Sequence, residues 1–314
     1  MGNNYSGSDV VFIVPTKDRP KKIMDLLDSL AIQTVNFSRL IIVDGGESIR
    51  NVVMAYADRL PVEYFQCLPP GQIRQRNMAL SKLDNRTNLV GYLDDDLVLE
   101  PQALEEMLNC WNNHEENTAG ISFNITNAPP FKHSSLRSLM KMSSPVQGRI
   151  LKSGYNVPIS PTDKDIRSQW LCGGATVWRQ DLLLENAYKE VKSSWAICED
   201  IMFSYPIGKH YPMYVAAKSG VRHEHVYDHK SKMKHKYYGR TATLWRLFFV
   251  ESHAELSRVS FCWMISCQIV AHVCMGLVKL KQEEIQYALG QIEGLLVGLT
   301  SIYRGKGVLA TLEV

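Results

Sequence analysis

Net charge is what this sequence has least of: 35 basic and 32 acidic side chains leave only +3 across 314 residues. A long polyanion such as nucleic acid is therefore excluded as the partner of the molecule as a whole, and any basic function must be local. Paired cysteines are missing too. Seven cysteines, an odd number without a paired-motif spacing, fit a reducing compartment better than a disulfide framework. Residues Met1 to Asp9 lack the basic-then-apolar pattern of a secretion signal. The expected location is therefore cytoplasmic, and Asn85-Arg86-Thr87 reads as a chance match to a glycosylation triplet.

What the chain does have is a hydrophobic content of 45%, enough to bury a substantial core in one large domain or two modest ones. Its apolar residues recur in a regular order. A strand over residues 9–16 ends in Pro15-Thr16, and Ile23, Leu26, Leu27, Leu30 and Ala31 follow at helical spacing behind Pro20. Strands at 40–43 and 62–67 come next, with helices around 49–57 and 72–83, and then the apolar run from Val90. Strand and helix alternate four times in about a hundred residues, which predicts an α/β fold with a mostly parallel sheet covered on both faces.

The run Val90-Gly91-Tyr92-Leu93 stops abruptly in Asp94, Asp95 and Asp96. It reads as a buried strand whose carboxyl end delivers acids to the sheet edge where open α/β folds bind ligands. Thr16 and Arg19, Asp44 and Gly45, and residues 71–76 lie just beyond other predicted strands or on the helices after them, so all should converge on one crevice. There a carboxylate such as Asp44 can accept hydrogen bonds from a base or ribose, while Arg74 or Arg76 can meet a phosphate with its planar fork. Such a crevice suits a nucleotide. Neighbouring carboxylates repel one another unless a positive charge sits between them, and Mg²⁺ or Mn²⁺ is the natural remedy. On an extended segment Asp94 and Asp96 share a face and Asp95 points away, so the expected pair is Asp94 with Asp96. The plain alternative is a solvated acidic turn.

Taken together and in order, Pro15-Thr16 with Arg19, Ile42-Val43-Asp44-Gly45-Gly46, Arg76-Asn77 and Leu93-Asp94-Asp95-Asp96 resemble the family-2 type of inverting glycosyltransferase with the GT-A fold. Two downstream stretches extend the resemblance over roughly residues 10–225. Gly173-Gly174 leading into Trp178-Arg179 is similar to the glycine-led acceptor-side strand, and Cys198-Glu199-Asp200-Ile201 to the Glu-Asp pair that carries the base. The resemblance implies that Thr16, Arg19, Asp44, Arg76, Asp94 and Asp95 face a nucleotide-sugar donor, with a UDP-sugar as the first choice. It implies that Asp96 binds the metal, Mn²⁺ or Mg²⁺, that Asp200 is the general base, and that Trp170, Gly173, Gly174 and Glu199 lie toward the acceptor. A histidine after the Tyr214–Ala217 strand would complete the metal site, with His223 as the first candidate and His225 as the second.

The rest of the chain says less about chemistry. Residues 123–169 are proline-rich and poor in pattern, which fits a lid or binding segment inside an enzyme. Trp170 and Trp178 can each stack on a sugar or pack in the core, and Trp178, inside a predicted strand, favours packing. Beyond His229 comes a basic run ending at Lys236, and then Tyr237-Tyr238-Gly239-Arg240, similar to an element of polysaccharide-building members of the family, with Thr241 where they carry asparagine. Residues 259–278 hold no charged side chain, yet Ser260, Ser266, Gln268 and His272 interrupt them. An interfacial helix pair or an ordinary helical subdomain is expected there, peripheral to a membrane surface at most. The expected layout is a catalytic domain over 1–228, divided near 122 into nucleotide and acceptor halves, with a helical region over 229–314. The function expected is transfer of a sugar to a glycan or lipid-linked acceptor in surface polysaccharide synthesis. Two other classes stay open: a sugar-phosphate nucleotidyltransferase, which would normally carry a glycine-rich loop where this chain has Pro15 to Pro20, and a non-catalytic glycan- or nucleotide-binding module.

Overall fold

The computed structural model describes residues 3–84, 87–186, 197–224 and 232–312. His225, His229, Asn85 and Arg86 lie outside the described residues. The chain divides into two compact units: residues 1–131, 159–190 and 203–226 form the first, and 132–158, 191–202 and 227–314 the second.

Among the described residues the first unit is built on a nine-stranded sheet. Its elements are β1 (Val10–Thr16), α1 (Pro20–Ala31), β2 (Arg39–Asp44), α2 (Arg50–Met54), β3 (Val62–Gln66), α3 (Gln72–Leu80), β4 (Leu89–Leu93), β5 (Leu97–Leu99), α4 (Ala103–Asn113) and β6 (Gly120–Ile125). The short α5 (Ser135–Leu139) belongs to the second unit; β7 (Ile166–Arg167), β8 (Ala175–Arg179), α6 (Gln180–Glu185) and β9 (Met213–His223) return to the first. Helix α7 (Glu199–Gly208) has residues 203–208 in the first unit and 199–202 in the second.

Strand order is β3-β2-β1-β4-β8-β6-β9-β5, with β7 on β9. The four strands read from the alternating pattern are parallel neighbours, as expected. Each strand alternates its side chains between two cores. Val10, Phe12, Val14, Leu40 and Ile42 pack with Leu26 of α1, Val53 of α2 and Met107 of α4. Val11, Ile13, Ile41, Val43 and Tyr92 pack with Ala79 of α3, Leu182 of α6 and Phe203 of α7. Burial on both sides is why these strands read as continuous apolar runs. Trp178 is 1% exposed and meets the ring of Phe203 edge-on at 5.1 Å, so it is a packing residue.

One detail differs from the expected extended segment. The acids occupy a turn, with Leu97 N–H donating to the Asp94 carbonyl at 3.3 Å, and the chain then re-enters the sheet as β5. The cause is local: the sheet continues beyond the acids because Leu97 and Leu99 are apolar and find β9 as an antiparallel partner.

The second unit contains α8 (Lys232–Glu251), α9 (Arg258–Val278) and α10 (Gln282–Tyr303). Its core joins Leu244, Leu247 and Val250 to Phe261, Met264 and Ile265. Glycines on α10 let α8 approach closely: a Cβ on Gly290 would stand 2.0 Å from the Lys236 carbonyl oxygen, and one on Gly294 2.7 Å from that of Arg240. Two of the polar interruptions of α9 face α10, where Gln291 donates to Gln268 at 3.0 Å and His272 lies 2.6 Å from Glu284. Among the described residues α9 is the one helix long and apolar enough to cross a membrane, with 22% of that window buried.

Candidate active site

Three adjacent parallel strands bring polar residues to one edge of the sheet. Thr16 closes β1, Asp44 closes β2, and Asp94 follows β4. Asp95 turns back toward the strand beside it: Thr16 Oγ1 donates to Asp95 Oδ2 at 2.7 Å, and Arg19 Nη1 to Oδ1 at 3.0 Å. Burial is the strongest influence on Asp95 and raises its pKa, against the opposing pull of Thr16 and Arg19. The same guanidinium nitrogen lies 3.5 Å from Asp96 Oδ2.

His223 reaches the acids through strand register. Because β5 pairs antiparallel with β9, Leu97 stands opposite His223, and Glu224 N–H donates to the Asp96 carbonyl at 2.8 Å. The imidazole Nε2 then lies 3.0 Å from Asp96 Oδ1. Asn127, which follows β6, fixes the histidine backbone from both sides, accepting from its N–H at 3.0 Å and donating to its carbonyl at 3.1 Å. One potential ligand atom each from Asp94, Asp96 and His223 lies within 4.8 Å of the others. Two carboxylates and an imidazole suit Mn²⁺ or a similar divalent ion, and the partial exposure of Asp94 and His223 leaves an open side.

Asp94 is held from two directions. Gln72 Nε2 lies 3.2 Å and Arg76 Nη2 3.4 Å from its Oδ1. Arg76 is 2% exposed and its guanidinium stands 5.1 Å from the centre of the Tyr92 ring, so the position of this charge is fixed by packing. Across the sheet, Asp94 N–H donates to the Gly174 carbonyl at 2.7 Å. A Cβ on Gly174 would stand 2.0 Å from the Asp94 carboxylate carbon, so glycine is required for this approach. Gly173 is buried beside it, and Trp170 is partly exposed.

Asp44 is fully buried in this structure and serves its own loop, accepting from Gly46 N–H at 2.8 Å, Ile49 N–H at 3.2 Å and the Tyr64 hydroxyl at 2.6 Å. Asp18, in the left-handed region with φ of 54°, accepts from Glu47 N–H at 2.9 Å and ties the loop after β1 to the one after β2. Gln75 donates to the carbonyls of Thr16 and Val43 at 2.8 and 2.7 Å. Sequence reasoning missed Tyr64, Asp18 and Asn127, none of which belongs to a recognisable motif. Glu199 and Asp200 form the first turn of α7, after Cys198 with φ of 72°, and belong to the second unit.

Residues 11–160 match the family described as Glycosyl transferase family 2. This region is a family-2 glycosyltransferase domain. No curated protein matches the chain by sequence. Among solved structures, the family-2 domain and its surroundings are similar to TarS 1-349 of S. aureus, at 17% identity and a TM-score of 0.55, covering 96% of this chain and 88% of that one. The mannosyltransferase PcManGT from Pyrobaculum calidifontis, in complex with GDP-Man and Mn²⁺, is 10% identical with a TM-score of 0.54, over 91% of this chain and 87% of that one. GalNAc-T7 with UDP, GalNAc and Mn²⁺ is 12% identical with a TM-score of 0.56, over 83% and 54%. At such identities the likeness carries the fold, which is GT-A, with the helical region at its C-terminal end.

Proposed function

We propose that this chain is a metal-dependent, inverting glycosyltransferase. It moves a sugar from a nucleoside-diphosphate sugar, with a UDP-sugar as the first choice, to a hydroxyl of a glycan or lipid-linked acceptor in surface polysaccharide synthesis. The observation that supports this most is the gathering of the neighbouring Asp94 and Asp96 with the sequence-distant His223 to within 4.8 Å. Two structural neighbours hold a nucleotide or nucleotide sugar together with Mn²⁺, which favours the same kind of donor here.

In this reading Asp96 and His223 would hold the cation, Mn²⁺ or Mg²⁺, and Asp94 would face the donor. A divalent ion supplies neutralisation of the charge that builds on the leaving diphosphate. Arg76 steadies Asp94, while Thr16 and Arg19 hold Asp95 so that the acidic turn keeps its shape. Asp44 shapes the loop on the base side. Asp200 takes the proton from the acceptor hydroxyl, whose oxygen attacks the anomeric carbon from the face opposite the diphosphate and inverts it. Gly173, Gly174, Trp170 and Glu199 belong to the acceptor side. The location is cytoplasmic, with peripheral contact at a membrane surface favoured by Val259, Val270, Leu277 and Val278, all more than 60% exposed on α9, and by Lys279 and Lys281 beside them.

The test is product analysis with a panel of sugar nucleotides. Release of nucleoside diphosphate that requires a divalent cation and Asp200 supports the transferase; pyrophosphate release would assign the chain to nucleotidyl transfer instead.

A further inference from the structure

A second cluster of metal-ligating side chains lies in the first unit, apart from the donor acids. Cys110 and His114 are one helical turn apart at the end of α4, and Asp165 precedes β7. Cys110 Sγ lies 3.4 Å from Asp165 Oδ2 and 3.6 Å from His114 Nδ1, and His114 Nε2 lies 3.9 Å from the same carboxylate oxygen. One ligand atom from each residue lies within 4.8 Å of the others. We infer that Cys110, His114 and Asp165 form a binding site for a zinc-class transition ion, which clamps α4 to the segment leading into β7.

The surroundings prepare each ligand. His114 Nδ1 is 2.8 Å from the Cys110 carbonyl oxygen, which can only accept, so Nδ1 carries a proton and Nε2 is the nitrogen left for a metal. Nε2 lies 3.9 Å from Asp165 Oδ2, the oxygen that accepts from the Cys110 thiol at 3.4 Å. The Tyr214 ring lies 4.0 Å from the imidazole and limits its rotation. Asp165 Oδ1 accepts from Ala217 N–H at 2.8 Å, which turns Oδ2 toward the sulfur. Sulfur, imidazole nitrogen and one carboxylate oxygen favour Zn²⁺ over Mg²⁺ or Mn²⁺, and water can fill the fourth position. Cys110 is buried and its thiol pKa is raised by burial, with Asp165 adding to the effect. Binding therefore breaks the S–H bond, forms a thiolate–metal bond and releases the proton to solvent, so affinity grows with pH.

The cluster touches β9 at Tyr214 and Ala217 while His223 ends that strand, about 20–30 Å away at roughly 3.3 Å per residue. The two sites can thus be tested separately. Chelator-treated full-length protein is titrated with Co²⁺, which shows a thiolate-to-metal band in the near ultraviolet only if sulfur ligates. The expected result is one equivalent of this band, displaced by Zn²⁺, retained in Asp96→Asn, lost in Cys110→Ser, and needing at least tenfold more Co²⁺ in Asp165→Asn. Absence of the band in the wild type, its survival in Cys110→Ser, or its loss in Asp96→Asn would overturn the assignment and leave the three residues as a hydrogen-bonded cluster.

Discussion

Replacing Gly174 with alanine probes the site without replacing a charged group. The added carbon would stand 2.0 Å from the Asp94 carboxylate carbon and 2.2 Å from its Oδ1. Ordinary contact between such atoms needs about 3.5 Å, so the carboxylate must retreat by about 1–1.5 Å. The backbone cannot yield in its place, because Asp94 N–H is bonded to the Gly174 carbonyl at 2.7 Å and β4 is paired with β8 along its length. A retreat of this size takes Asp94 out of the group it forms with Asp96 and His223. Misplacement by about 1 Å at a reacting centre costs on the order of 10²-fold in rate, and overpacking costs about 1–3 kcal/mol in stability. Three measurements check this: turnover of the sugar nucleotide, the Mn²⁺ concentration for half-maximal activity, and thermal unfolding. The expected variant is folded, needs more Mn²⁺ and turns over about a hundredfold more slowly. A Gly174→Ala protein with unchanged metal requirement and rate would refute the reasoning.

Asp200→Asn should lower the rate of transfer by about 10²–10⁴-fold while sugar-nucleotide binding, followed by calorimetry, stays near that of the parent. Asn127→Ala removes both bonds that hold the His223 backbone and should raise the Mn²⁺ requirement with a stability loss of about 1–2 kcal/mol, read by denaturant unfolding. Tyr64→Phe deletes the hydroxyl that donates to buried Asp44, and thermal melting should show a loss of about 1.5–3 kcal/mol. Gly290→Ala places a carbon 2.0 Å from the Lys236 carbonyl, so the helical unit should lose about 1–3 kcal/mol or more in calorimetry, with donor binding intact.

The parallel half of the fold was legible because strands buried on both faces leave unbroken apolar runs, and Pro20 with Ile23, Leu26, Leu27 and Leu30 marks α1 plainly. The pairing of Asp94 with Asp96 was also anticipated, though from an extended geometry that the turn at these residues does not have. Long-range register could not be read. Nothing near Leu97 in sequence says that it stands opposite His223, and nothing near Gly174 says that its missing side chain makes room for Asp94. Residues that hold the site through backbone bonds, such as Asn127 and Asp18, carry no motif, since any side chain of the right length and polarity would do. Cys110 and His114 were visible as residues, but their relation to Asp165 depends on how the segment before β7 crosses the sheet.

The claim at the centre of this account is that Asp96 and His223 hold a cation, with Asp94 beside them toward the donor, and that this cation serves a sugar nucleotide. Its most direct test is the thermal stability of the wild type and of Asp96→Asn with UDP-, GDP- and dTDP-sugars, each with and without Mn²⁺ or Mg²⁺, since a ligand that binds only the native state raises apparent stability. The account predicts a metal-dependent rise with at least one donor in the wild type and none in Asp96→Asn. No rise with any donor, or the same rise in both proteins, would contradict it.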